Sequence, residues 1–239
     1  MVKKAEAVAS AFFNFISLNF CFFTSMSMKK AFSILILAAS ICTSSFAQET
    51  KIISDCTVNY QVAVEDAKDD PAVAKSMAAT SKVVYIKGTK SRTDLETPNY
   101  KQIMIYDSKT DSTIILRELG NSKYISYLDG NLRKEKNKKY EQIQFTNTNE
   151  KKTILGYDCT KVIAKLFDET TYEVYYTTSI IPSTTGYEYQ FRDLPGFVLE
   201  YEAEFERGKT KVKFTATKIT LIPVPVAKFD VPKTGYRVL

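Results

Sequence analysis

Between Phe197 and Phe214 the chain reads FVLEYEAEFERGKTKVKF, with carboxylates at Glu200, Glu202, Glu204 and Glu206 and ammonium groups at Lys209, Lys211 and Lys213. Two carboxylates in a cleft can act as acid and base on a glycoside, and a cluster of them can hold Ca²⁺. The spacing points elsewhere. Alternate residues of a strand share a face, so the glutamates lie opposite Phe197, Leu199, Tyr201, Ala203 and Phe205. Beyond Arg207-Gly208, the lysines alternate with Thr210, Val212, Phe214 and Ala216. A two- or four-residue loop pairs Glu206 with Lys209, Glu204 with Lys211 and Glu202 with Lys213. A three-residue loop would oppose Phe205 to Lys209 and spoil both faces. The row therefore reads as the solvated, charge-matched outer face of a hairpin, each pair contributing about 0.2–1 kcal/mol. No catalytic and no metal-ligating residue is assigned.

The chain has no histidine and no tryptophan. Without histidine there is no side chain titrating near neutral pH, no Ser–His or Cys–His nucleophile pair, and none of the commonest metal ligand. The expectation is a protein that is not an enzyme and needs no cofactor. The basic run Arg133 to Lys139 could touch acidic headgroups or an acidic partner, but it reads more simply as a solvated loop. The group Tyr172, Tyr175, Tyr176, Tyr187 and Tyr189 fits two readings equally, a ligand cavity or plain β-propensity.

Compartment is read from the start of the chain. Met28-Lys29-Lys30, the apolar run Ala31 to Cys42 and the exit Ser45-Phe46-Ala47 have the form of a signal peptide cleaved between Ala47 and Gln48. Residues 1–27 carry a second apolar patch, too short to span a bilayer; they read as a misassigned start before Met28 or Met26, with a long signal segment of two apolar blocks as the alternative. The expected product, residues 48–239, is a single periplasmic or extracellular domain without a transmembrane span. Removing the four lysines and one glutamate before Gln48 from 33 basic and 27 acidic groups leaves a net +3. That is too mild to argue for nucleic acid. Two cysteines remain, Cys56 and Cys159, and in an exported protein such a pair is first read as a disulfide. Two separate buried thiols are the alternative.

Those residues must be positioned by strands. Period-two alternation recurs over residues 56–64, 81–87, 101–106, 113–119, 123–128, 142–146, 159–167, 172–179, 197–205 and 210–221. A helix is expected after Asp70-Pro71, with Val73 and Met77 on one face, and a second short one within residues 183–193. The fold class is mainly β: a large curled antiparallel sheet of about ten strands, an incomplete barrel, with one or two short helices.

Two stretches carry a resemblance. Gly156, Tyr157, Cys159 and Lys161 match a Gly-Tyr-x-Cys-x-Lys strand, and Tyr175, Tyr176, Ile181 and Pro182 match an aromatic strand ending in an Ile-Pro turn. Leu194, Pro195 and Gly196 match part of Gly-Leu-Pro-Gly-Leu-Ile, with Asp193 in place of the first glycine and Phe197-Val198 in place of Leu-Ile. The chain thus resembles the GLPGLI family of exported Bacteroidetes proteins and a related domain of unknown function. It is more distantly similar to the lipoprotein carrier LolA. The resemblance implies a half-barrel whose concave face holds acyl chains under a helical lid. The inner-face residues Tyr60, Val62, Phe197, Leu199, Tyr201, Val212 and Phe214 would meet a lipid, acyl chain or lipoprotein. A filled core without a cavity is the alternative for the same residues, and an envelope module serving outer-membrane proteins is the rival role.

Overall fold

Strand pairing accounts for most of the described residues. The computed structural model describes residues 50–64, 71–205 and 210–239. The Ala47/Gln48 cleavage position, the signal segment and the Arg207-Gly208 turn lie outside these residues. The first half supplies β1 (Lys51–Ile53), β2 (Asp55–Val64), β3 (Ser81–Lys87), β4 (Lys90–Thr97), β5 (Tyr100–Asp107), β6 (Ser112–Leu119) and β7 (Ser122–Leu128). The second supplies β8 (Gln144–Ile154), β9 (Tyr157–Lys165), β10 (Thr171–Thr177), β11 (Ile180–Pro182), β12 (Phe197–Phe205), β13 (Thr210–Thr220) and β14 (Arg237–Val238). Twelve of them form one sheet in the order β14-β7-β6-β5-β4-β3-β2-β13-β12-β10-β9-β8, while β1 and β11 pair separately. All pairs in the large sheet are antiparallel except β14 with β7. Its outermost strands, β14 and β8, do not pair with each other, so the sheet curls without closing. Across the concave face, the hydroxyl of Tyr60 on β2 donates to the Val198 carbonyl on β12 at 2.7 Å, although β13 lies between them.

Two helices accompany the sheet. The expected one is α1 (Pro71–Ala78), whose Met77 is buried in the core; the Val73 side chain lies outside the described set. The other, α2 (Gly130–Lys136), replaces the solvated loop expected for the basic run. Asp129 caps it, accepting from the Leu132 amide at 2.8 Å, as an N-cap aspartate does for an orphan donor of the first turn. Between residues 183 and 193 the chain makes two 3-10 turns, Thr185–Tyr187 and Tyr189–Phe191, in place of a helix.

The hairpin register is the expected one: Glu202 faces Lys213, Glu204 faces Lys211 and Tyr201 faces Phe214. Glu206 and Lys209 lie outside the described residues. The outer face is solvated only at its far end, where Glu204 and Lys211 are exposed, which corrects part of the reading from alternation. Glu200 and Glu202 are only 4% and 7% exposed. Neighbouring strands lay long side chains over them: Lys152 Nζ grips Glu200 at 2.8 and 2.9 Å, and Thr215 donates to it at 3.0 Å. Glu202 accepts the Glu173 amide at 2.9 Å and has Lys211 and Lys213 at 3.7 and 3.9 Å.

The expected disulfide is likewise absent, because the pleat places the two cysteines on opposite faces. Cys56 alternates with Val58, Tyr60 and Val62 on the concave face. Cys159 shares a face with Lys161, which sits opposite Tyr175, itself opposite Glu200 on the outer face. Three strands also separate β2 from β9. Both thiols are free and buried. Burial pushes Cys56 up to about 12 and Cys159 up to about 11, so neither offers a thiolate near neutral pH.

Behind β3–β7 lies a second core of Ile103, Ile105, Leu116 and Ile125, covered by Val224 and Phe229 of the C-terminal segment. Asp55 Oδ1 anchors that segment, accepting the Val224 amide at 2.9 Å and Lys87 Nζ at 3.0 Å. The amide, then the ammonium, holds the Asp55 carboxyl below its ordinary value. A lowered folded value stabilises the protein above the usual carboxylate range, and the gain is lost as acid protonates the group. Asp55→Asn should therefore cost about 1 kcal/mol near neutral pH. In denaturant titrations repeated at lower pH, its gap from wild type should close as wild-type Asp55 takes up its proton. A second prediction concerns Gly196, where an added Cβ would stand 2.1 Å from the Thr177 carbonyl oxygen. Gly196→Ala should lower stability by about 1–3 kcal/mol, measured by chemical unfolding.

Candidate functional site

Pairing register assembles the site row by row. Tyr201, Phe214 and Val62 stand side by side on β12, β13 and β2, with Val212 two residues along. The concave face continues through Lys82 of β3, opposite Tyr60 and Leu95, to Gln102 of β5. In the adjoining row Val84 faces Thr93, which faces Met104. Met77 of α1 closes one side, and Glu188, between the two 3-10 turns, and Gln190, within the second, close another. Together they enclose a cavity of about 410 Å³.

All seven inner-face residues expected to meet a ligand are buried. Val62, Tyr201, Val212 and Phe214 line the cavity, whereas Tyr60, Phe197 and Leu199 pack in the core beside it. None of Tyr172, Tyr175, Tyr176, Tyr187 and Tyr189 is among its described lining residues. Tyr187 instead meets Phe197 edge to face at 5.1 Å. Arg133, at the head of the basic run, is also structural. Its guanidinium lies 3.7 Å from the centre of the Tyr106 ring and donates to the Gly186 carbonyl at 2.6 Å.

The site's principal polar group is one that sequence reasoning missed. Lys82 is 5% exposed. Its Nζ lies 2.6 Å from Glu188 Oε1, an ion pair without the alignment of a hydrogen bond, and it also donates to the Tyr201 hydroxyl. It stands 4.8, 5.1 and 5.6 Å from the ring centres of Tyr201, Phe214 and Tyr60. Tyr201 and Phe214 are stacked at 4.8 Å, a geometry in which ring faces attract a cation. Burial pushes Tyr60, Tyr187 and Tyr201 well above their ordinary values, so all three stay neutral. A signal for Lys82 exists in the strand SKVVYIK, where it shares the apolar face of Val84 and Ile86. A further polar atom, Thr93 Oγ1, is buried with no hydrogen-bond partner.

The resemblance motifs serve structure rather than the cavity. Leu155 (φ 52°) and Gly156 (φ 82°) make the two-residue turn of the β8–β9 hairpin, in which Ile154 pairs with Tyr157. Two successive positive φ values favour glycine in such turns. On the outer face Lys161 pairs with Glu173 at 2.6 Å and Glu150 at 3.2 Å. Glu173, then Glu150, raises its ammonium above the ordinary value against the opposing effect of burial. Leu194 is buried, Pro195 is exposed and Gly196 is the close approach to Thr177. Among the described residues, no group of three or more Cys, Asp or Glu side chains could hold a metal ion, and no helix is long and apolar enough to cross a membrane.

These features define an open antiparallel β-sheet protein with a cavity on its concave face. The chain belongs to the family described as a domain of unknown function (DUF4412), whose model matches residues 72–191, half of its length. The Gly156–Lys161 motif falls inside that stretch and Leu194-Pro195-Gly196 beyond it. No curated protein matches the chain. Among solved structures, PNGF-II is 17% identical at a TM-score of 0.45 over 77% of this chain; the chain covers 30% of that one. An uncharacterized conserved protein from Thermus thermophilus is 9% identical at 0.44, over 78% of this chain and 90% of that one. MucB is 8% identical at 0.40, over 75% and 58%. Likeness at this level says nothing about ligand or activity.

Removing one partner of a buried ion pair is far costlier than removing both. Lys82→Met should destabilise the protein by about 3–5 kcal/mol, whereas Lys82→Met/Glu188→Gln should recover most of that loss. Thermal and denaturant unfolding of the two variants measures the difference.

Proposed function

We propose that the protein is a non-catalytic, exported binding protein that holds an apolar ligand (a lipid, an acyl chain or the acylated end of a lipoprotein) in the periplasm. The observation that carries this reading is the cavity beside Val62, Val212 and Phe214. It is concave, mostly apolar and already formed, as small-molecule sites are. Met77 places α1 in its wall, where a helical lid would sit. The absence of histidine supports a binding role over a catalytic one, and the signal-like segment before Gln48 supports the compartment.

Native mass spectrometry of the protein purified from its own cell envelope tests the proposal. The expected result is a mass increment that organic extraction removes and identifies as lipid. A protein that carries no lipid, and does not take up a fluorescent fatty acid, would instead fit an envelope module that binds other proteins.

A further inference from the structure

The cavity wall mixes apolar side chains with polar ones, and its sector on β3, β4 and β5 is rich in donors. Lys82 and Gln102 flank Leu95 on neighbouring strands, and Thr93 lies two residues along on the same face. Diagonal neighbours of this kind are about 7–8 Å apart at the backbone, close enough for one oxygen atom to meet both side chains. Thr93 lines the cavity, and its hydroxyl is buried without a hydrogen-bond partner. An unpaired buried hydroxyl is costly, and an acceptor from a ligand would relieve it. Lys82 has three N–H donors, of which Tyr201 takes one and Glu188 faces another.

The Lys82–Glu188 pair decides the charge of that acceptor. Its two charges already balance, so a carboxylate brought to Lys82 would also face Glu188 in a poorly screened site. A neutral carbonyl meets the same donors without that repulsion. At about 410 Å³ the cavity sits near the lower end of the roughly 300–1,000 Å³ of small-ligand sites, a size for one chain rather than several. The geometry points to a single esterified acyl chain as the occupant, its ester carbonyl accepting from Thr93 and Lys82 and its hydrocarbon lying along Val62, Val212 and Phe214. Glu188 selects against the free fatty acid. This inference rests on the reading of the cavity as an apolar-ligand site.

Three probes with the same chain length separate the possibilities: 1-monopalmitoylglycerol, its ether analogue 1-O-hexadecylglycerol, which lacks the carbonyl, and palmitate. Each is titrated below its micelle concentration by displacement of a fluorescent acyl probe. The ester should bind about tenfold more tightly than the ether, the value of one to two hydrogen bonds, and more tightly than palmitate near neutral pH. Thr93→Val should reduce the ester's advantage over the ether to about twofold while raising the melting temperature of the empty protein, because it removes an unpaired hydroxyl without changing shape. Equal affinity for ester and ether, tighter binding of palmitate, or an ester preference that survives Thr93→Val would each overturn the inference and leave the apolar-ligand reading standing. If none of the three probes binds, both fall.

Discussion

An ammonium group buried among three aromatic rings sets the terms for the concave face. Lys82 is almost wholly withdrawn from water, so the structure must bring it a counter-charge, and Glu188 is that charge. Meeting this demand holds the segment between β11 and β12 over the sheet. Further ties act on the same segment: the Ser183 and Thr184 hydroxyls donate to the Gly88 carbonyl at the β3–β4 turn, and Arg133 of α2 grips Gly186. This cap packs on the apolar strands through Tyr187 and Phe191, and the cavity lies beside that contact, with the Lys82 pair in its wall. Replacing a buried pair with apolar side chains is often neutral or stabilising for a fold, so the pair's value here lies in where it holds the cap.

The outer face solves a related problem differently. Glu200, Glu202 and Lys161 are buried there without any cavity, each matched by partners from adjacent strands. The result is a lattice of carboxylates and ammonium groups across β8, β9, β10, β12 and β13, with Lys152 and Lys161 also lying over the Tyr175 ring. Charge on this sheet is therefore not a mark of solvent exposure. On one face it knits strands together, and on the other it shapes a space.

How much of this was legible follows from what a period-two pattern can encode. Strands with an apolar face, such as Asp55–Val64 and Phe197–Phe205, announce themselves, and the Glu/Lys alternation specified the β12–β13 register. Strand β4, KSRTDLET, did not, since its inward residues Ser91 and Thr93 are as polar as a loop's; they are buried by neighbours that only tertiary pairing supplies. Helix α2 was hidden because Asp129-Gly130-Asn131 reads equally as a turn and as a cap. The same limit governed the site. Alternation sorts residues onto faces but does not say what covers a face, so the apolar lining was readable while Glu188, arriving from a distant link, was not. The cysteines illustrate the converse: strand parity already placed them on opposite faces, once the strands between them had an order.

The strand order also dictates when the cavity can appear. Apart from β14 at its edge, the large sheet is two local meanders, β2 through β7 and β8 through β13, each built from neighbours close in the chain. They are joined by one long-range seam in which Val62 meets Phe214. Closing so wide a loop is entropically slow compared with making hairpins. Because the cavity draws walls from both sides of that seam, neither half contains it, and it comes into being only as the last major strand docks. Formation of the cavity is thus deferred to the final stage of folding, and a half-made chain has no such space to offer.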